Sequence, residues 1–116
     1  MRNALGYRLS LVFVTRQRIQ ALNKRYLKRT YATDVLSFDL SARGSRSKEI
    51  KGEVIISTQA AVANSRVYGT SIAKEIDLYV VHGILHLLGF DDHSPAEIKR
   101  MRAAENEVLK GLGYDR

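Results

Sequence analysis

The chain contains no cysteine, and this absence excludes disulfide frameworks, thiolate metal sites and cysteine nucleophiles together. Any metal must therefore be held by His, Asp or Glu. Long hydrophobic runs are lacking too: the longest apolar stretch, near Tyr79 to Phe90, is about half a membrane span and carries two histidines. The opening MRNALGYRLSLVFVT sets Arg2 and Arg8 beside an apolar patch too short for the core of a secretory signal. A soluble, cytoplasmic protein with no membrane partner is the expectation. Internal repeats, low-complexity tracts and inter-domain linkers are also missing. The 116 residues are expected to form one domain, 1–116, around one core, with a monomer favoured over an oligomer.

Acidic residues are in short supply: 12 Asp and Glu stand against 19 Lys and Arg, for a net charge of +7. The excess crowds into Arg16, Arg18, Lys24, Arg25, Lys28 and Arg29, and again into Arg43, Arg46, Lys48 and Lys51. Such a field attracts polyanions at long range, and nucleic acid is the usual one. The plainer account is a solvated face that keeps the protein soluble.

Tyr7 to Val14 (YRLSLVFV) alternates Tyr7, Leu9, Leu11 and Phe13 with Arg8, Ser10, Val12 and Val14, which predicts a strand. Thr15 can cap the helix that follows. Ile19, Leu22 and Tyr26 fall there at helical spacing, leaving most basic side chains on the opposite, wet face. Asp34 to Leu40 (DVLSFDL) reads as a half-buried strand, SARGSRSKEIKG as a polar, basic loop, and Glu53 to Ser57 (EVIIS) as a third strand. An alanine-rich helix is predicted from Thr58 to Tyr68, stopped by Gly69. Ser71 or Thr70 then caps a long helix in which Ile72, Ile76, Val80, Ile84 and Leu87 keep the helical period until Gly89 ends it. The last helix has the clearest start, with Ser94 at the N-cap, Pro95 at the first helical position and Glu97 completing a capping box. Ile98, Met101, Val108, Leu109 and Leu112 are its expected buried stripe. Strand, helix, two strands and three helices predict an α+β fold, a small mixed sheet with packed helices.

All the histidines of the chain fall within HGILHLLGFDDH, from His82 to His93. On the predicted helix His82 and His86 lie on the same face, one turn apart, which lets two imidazoles reach one cation. Gly89 breaks the helix, the GFDDH turn folds back, and His93 arrives from the turn as a third ligand. Three histidines and a water are the catalytic arrangement of zinc, whereas a structural site is closed by four protein ligands. The carbonyls at the helix C-terminus add a modest attraction for a cation. Asp91 and Asp92 suit an ordinary turn, but Asp92 also competes as third ligand, since a carboxylate is an acceptable zinc partner. A buried, hydrogen-bonded core histidine is the plainer reading of either helical residue taken alone. Zinc peptidases of the H-E-x-x-H type carry a Glu base beside the first histidine, and here that position is Gly83.

HGILHLLGFDDH resembles the H-G-x-L-H-L-x-G-[YF]-D-H signature of the YbeY family of bacterial metal-dependent endoribonucleases and ribosomal RNA maturation factors. LNKRYLKRTYATDVLSF is similar to that family's L-N-x-x-Y-R-x-x-x-x-P-T-D-V-L-S-F block, and KGEVIIS to its L-G-D-[IV]-x-I-S strand. The resemblance covers about Leu22 to His93. It implies one zinc per chain on a central helix, in a zincin-like histidine arrangement, held by the catalytic trio His82, His86 and His93. It also implies that Thr33 to Phe38 form a strand beside the cleft. Two departures matter. Six residues rather than five separate His86 from His93, which keeps Asp92 as the fallback third ligand. The family's substrate-facing basic position holds Leu27, so that role is either vacant or passes to Arg25, Lys28 or Arg29.

The function implied is cleavage of single-stranded RNA in ribosomal RNA maturation and ribosome biogenesis, with the small ribosomal subunit as partner. A zinc-activated water would attack the phosphodiester, and basic side chains would hold the strand by its phosphates. Tyr26 and Phe38 are more simply core residues than base-stacking platforms. The alternatives are a ribosome-binding or RNA-binding assembly factor with a structural metal, and another metal hydrolase such as a peptidase, against which Gly83 argues.

Overall fold

A computed structural model describes residues 7–27, 33–40 and 50–114. The elements run β1 (Tyr7–Val14), α1 (Arg16–Leu27), β2 (Val35–Asp39), β3 (Ile50–Ser57), α2 (Thr58–Tyr68), α3 (Ile72–Leu87) and α4 (Pro95–Gly111). The fold is α+β, with a three-stranded mixed sheet of order β1-β3-β2. β1 lies parallel and β2 antiparallel to β3. β3 begins earlier than its composition suggests. Ile50, Lys51 and Gly52, read as loop, are drawn into the strand because Tyr7, Arg8 and Leu9 pair with them in the parallel ladder.

β3 is central and covered on both faces, which explains its unbroken apolar run Val54, Ile55 and Ile56. On one face Ile55 and Leu36 pack with Ile19 of α1, flanked by Val12 and Val14. On the other, Val54 and Ile56 pack with Ala60 and Ala61 of α2 and Tyr79 of α3. Thr15 caps α1 by accepting from the Arg18 amide at 3.1 Å. α2 starts on Ser57, whose hydroxyl accepts from Ala60, and ends on Gly69 in the left-handed region.

α3 is clamped between the sheet and α4, so it buries two sides rather than one stripe. The expected row from Ile72 to Leu87 is only partly covered, and Ile72 is exposed. The buried apolar side chains are Tyr79 toward the sheet and Val81 and Leu85 toward α4, where Met101 and Leu109 meet them. The α4 stripe differs as well. Met101 and Leu109 are buried as expected, but Ile98, Val108 and Leu112 face solvent and Glu105 is buried between the two core residues. Positions 101, 105 and 109 recur at exact turns of four, and a charged residue occupies the middle of that row.

The α3 backbone reaches the sheet at Gly83. A Cβ placed there would stand 2.6 Å from Val54 Cγ1 and 3.0 Å from Ser37 Oγ. The Ser37 hydroxyl donates to the Gly83 carbonyl at 2.9 Å, tying β2 to α3 at the same point. Further along, a Cβ on Gly52 would meet Leu87 Cδ1 at 2.5 Å. Gly→Ala in a helix ordinarily stabilises by about 0.8–1 kcal/mol. Overpacking at this contact costs about 1–3 kcal/mol. Gly83→Ala is therefore expected to lower the denaturation midpoint. Gly111→Ala, where an added Cβ meets nothing within 4 Å, is expected to leave it unchanged or raise it. Paired urea titrations check this, and a Gly83→Ala protein as stable as its parent would refute the close-packing account.

Candidate metal centre

Successive turns of α3 carry His82 and His86 at the end of the helix that leans over β2. Their Nε2 atoms approach to 3.1 Å and the rings stand at 78°, with centroids 4.7 Å apart. Two imidazole nitrogens bound tetrahedrally to one zinc at about 2.0–2.1 Å would lie about 3.3 Å apart. The observed pair thus matches the bite of one small cation. His82 Nδ1 is occupied by Glu105 Oε2 across the α3–α4 interface.

The turn after α3 is fixed at both ends. The Gly89 amide, in a residue with φ of 102°, donates to the His86 carbonyl, and the Phe90 amide donates to the Leu85 carbonyl at 3.0 Å. Phe90 packs on the α3–α4 core. At the far end the Ser94 hydroxyl accepts from the Glu97 amide at 3.1 Å and Pro95 opens α4. Asp91, Asp92 and His93 are exposed between these anchors. Asp92 Oδ2 lies 3.9 Å from His82 Nε2 and 3.7 Å from His86 Nε2. One ligand atom from each of the three falls within a 4.8 Å span. The His93 side chain is 64% exposed, and its Nε2 is 3.2 Å from Asp91 Oδ1. The structure therefore gathers His82, His86 and Asp92. It leaves His93 at the rim of the same cavity.

That cavity is about 540 Å³ and open to solvent, with Thr33, Val35, Ser37 and Asp39 forming the wall opposite the histidines. The strand expected beside the cleft is thus β2. Among the described residues the wall is polar, and the cleft carries Asp39, Asp91 and Asp92 within a protein of net charge +7. These carboxylates, with the α3 carbonyl end, favour a cation locally. Of the expected substrate-binding cations, Arg25 is not drawn in. Arg25 belongs to α1, on the opposite face of the sheet, and its guanidinium carbon sits 5.3 Å from the centre of the Tyr26 ring. Lys28 and Arg29 lie outside the described residues. Tyr26 meets Phe38 edge-on at 5.8 Å, and Phe38 packs against the Ile19 cluster, so this pair serves the α1 face rather than the cleft.

Beyond His82 a second cavity of about 610 Å³ is lined by Asp34, Glu75, Tyr79, Arg102 and Glu105. The Tyr79 hydroxyl accepts from Asn64 Nδ2 at 2.5 Å. Burial pushes its pKa up to about 12, with the charges of Asp34 and Glu75 adding to the effect and the Asn64 hydrogen bond opposing it.

The profile of the family described as endoribonuclease YbeY matches residues 1–113. An endoribonuclease YbeY from Listeria innocua is 39% identical over 123 aligned residues, spanning 96% of this chain and 76% of the relative. One from Carboxydothermus hydrogenoformans is 38% identical, spanning 93% and 74%. The solution structure of a Thermotoga maritima protein is similar with a TM-score of 0.53 and 27% identity, covering 90% of this chain and 69% of that one.

Tyr79 gives the fold an alkaline limit. Its raised pKa means the folded state holds the phenolic proton more tightly than the unfolded chain does. The stabilisation is complete below about pH 10 and is lost as pH rises toward about 12. The shift corresponds to about 2.7 kcal/mol at most. Urea midpoints measured from about pH 9 to about pH 12 should fall steeply for the parent and less for Tyr79→Phe. Parallel curves for the two proteins would show that Tyr79 is not responsible.

Proposed function

We propose that this chain, which belongs to the YbeY endoribonuclease family, is a metal-dependent endoribonuclease that cuts single-stranded RNA. The natural substrate is proposed to be ribosomal RNA, met in the cytoplasm during maturation of the small ribosomal subunit, by one monomeric domain spanning residues 1–116. Among the described residues no helix is long and apolar enough to cross a membrane. The single observation that carries the reading is the opposed pair His82 and His86, their Nε2 atoms 3.1 Å apart at the floor of an open cleft.

One zinc per chain is proposed, in a zincin-like arrangement, with His82 and His86 as two ligands and His93 as the third. Asp92 is the alternative third ligand, supported by its distances of 3.9 and 3.7 Å from the pair. His93 is supported by its place on the same cavity and by its short tether to the capped start of α4. When bound, zinc supplies Lewis acidity toward a phosphoryl oxygen and activates water near neutral pH without a carboxylate base. The chain does the rest. β2 forms a polar wall against which an extended strand can lie, and the Ser37 bond to Gly83 keeps that wall at a set distance from the histidines. Lys28 and Arg29, close in sequence to the Thr33 end of the wall, are the proposed phosphate contacts, with Arg25 adding to the long-range field.

Hydrolysis of peptides is disfavoured by packing as well as by motif. The position a peptidase would give to its glutamate base is Gly83, where even a Cβ collides with Val54. A purely structural metal is disfavoured by the openness of the cleft, since structural zinc is enclosed by four protein ligands.

Zinc-loaded protein is expected to cleave a single-stranded oligoribonucleotide, to lose that activity on chelation and regain it with zinc, and to leave casein intact. His86→Ala should abolish both zinc binding and cleavage. Comparing Asp92→Ala with His93→Ala by elemental analysis identifies the third ligand as the one whose loss empties the site. Metal-loaded parent that cuts RNA no faster than His86→Ala overturns the enzyme and leaves an RNA-binding assembly factor.

A further inference from the structure

Glu105 is a carboxylate in the wrong place for a surface residue. It is 8% exposed and lies on α4 between the core residues Met101 and Leu109. Burying a charge there is costly unless a partner compensates it, and a leucine would continue the apolar row. Its partner across the helix interface is His82 Nδ1.

A neutral imidazole has one N–H and one lone pair, and an ionised carboxylate can only accept. The contact therefore directs the proton of His82 to Nδ1 and leaves its Nε2 with the lone pair. That atom is the one facing His86 Nε2 at 3.1 Å. We propose that Glu105 is a positioning residue for the metal: it selects the His82 tautomer and ring orientation that present Nε2 to the shared cation. The proposal rests on the reading of His82 and His86 as metal ligands. In this role Glu105 acts through His82, the side chain it contacts. Loss of such partners typically weakens metal affinity by about 10–100-fold. Without it His82 is free to place its proton on Nε2, donate it to His86 and close the pair to a cation.

The test compares parent, Glu105→Gln and Glu105→Leu in three measurements. Nitrogen-detected NMR of the histidine rings in metal-free protein reports the His82 tautomer. Competition with a chromophoric chelator gives zinc affinity, and thermal denaturation of the metal-free protein gives stability. In the parent, His82 should carry its proton on Nδ1. In Glu105→Leu the Nε2–H form should appear and zinc affinity fall by about 10–100-fold, while the metal-free Tm holds or rises because the apolar row is completed. Glu105→Gln, whose amide oxygen can still accept from Nδ1–H, should recover part of the affinity. If the leucine variant fails to fold, the glutamine variant decides: affinity intermediate between parent and His82→Ala supports the role. A folded variant with zinc affinity within about twofold of the parent, or with the parent tautomer unchanged in Glu105→Leu, overturns it. A parent that binds no zinc overturns the metal reading itself, and that failure is distinct from weakening confined to the Glu105 variants.

Discussion

α3 can carry two histidines over β2 only because its backbone comes closer to the sheet than a side chain would permit. The contact between Gly83 and Val54, with Ser37 donating to the Gly83 carbonyl, sets the height of the helix above the strands. His82 and His86 project from the flanking positions of that same helix, so the depth of the cleft follows from the missing Cβ. Gly52 repeats the arrangement one turn further along, where Leu87 fills the space a side chain on β3 would take. A protein interior packed at crystal-like density passes such a constraint directly to whatever the helix bears.

The second constraint is electrostatic. In a chain of net charge +7, the charged groups gathered around the histidines among the described residues are carboxylates: Asp39, Asp91 and Asp92 line the cleft and Glu105 backs it. The two charge patterns suit different partners. The local acid attracts a metal ion at short range, and the surrounding base attracts a polyanion at long range. Negative potential thus gathers at the cleft, while the positive charge that sets the net field lies elsewhere in the sequence.

Most of the element order was legible because it is written in local interactions. β1 has the bounds its alternation predicts, α2 ends at Gly69 and α4 starts at Ser94 and Pro95, since pattern and caps act on the backbone within a turn of their own position. The errors fall where distant residues intervene. Ile50 to Gly52 became strand because β1 pairs with them. Ile98, Val108 and Leu112 lost their place in the core because α4 turns Met101, Glu105 and Leu109 toward α3 instead. Glu105 went unseen because a charged residue is ordinarily assigned to the wet face. Its spacing of four from Met101 and from Leu109 was the signal available.

The sequence by itself determined the α+β order and the helical pairing of His82 with His86, which rest on periodicity, capping and spacing along the chain, and its motif blocks carried the resemblance to the YbeY family. Only the tertiary structure decided which strand is central, why residue 83 must be glycine, that Arg25 lies across the sheet from the cleft, and that Asp92 rather than His93 faces the histidine pair in this arrangement. The reason is physical. Backbone hydrogen bonds and side-chain period are set by neighbours in sequence, whereas sheet order, helix height and the aim of an exposed turn depend on contacts between residues tens of positions apart.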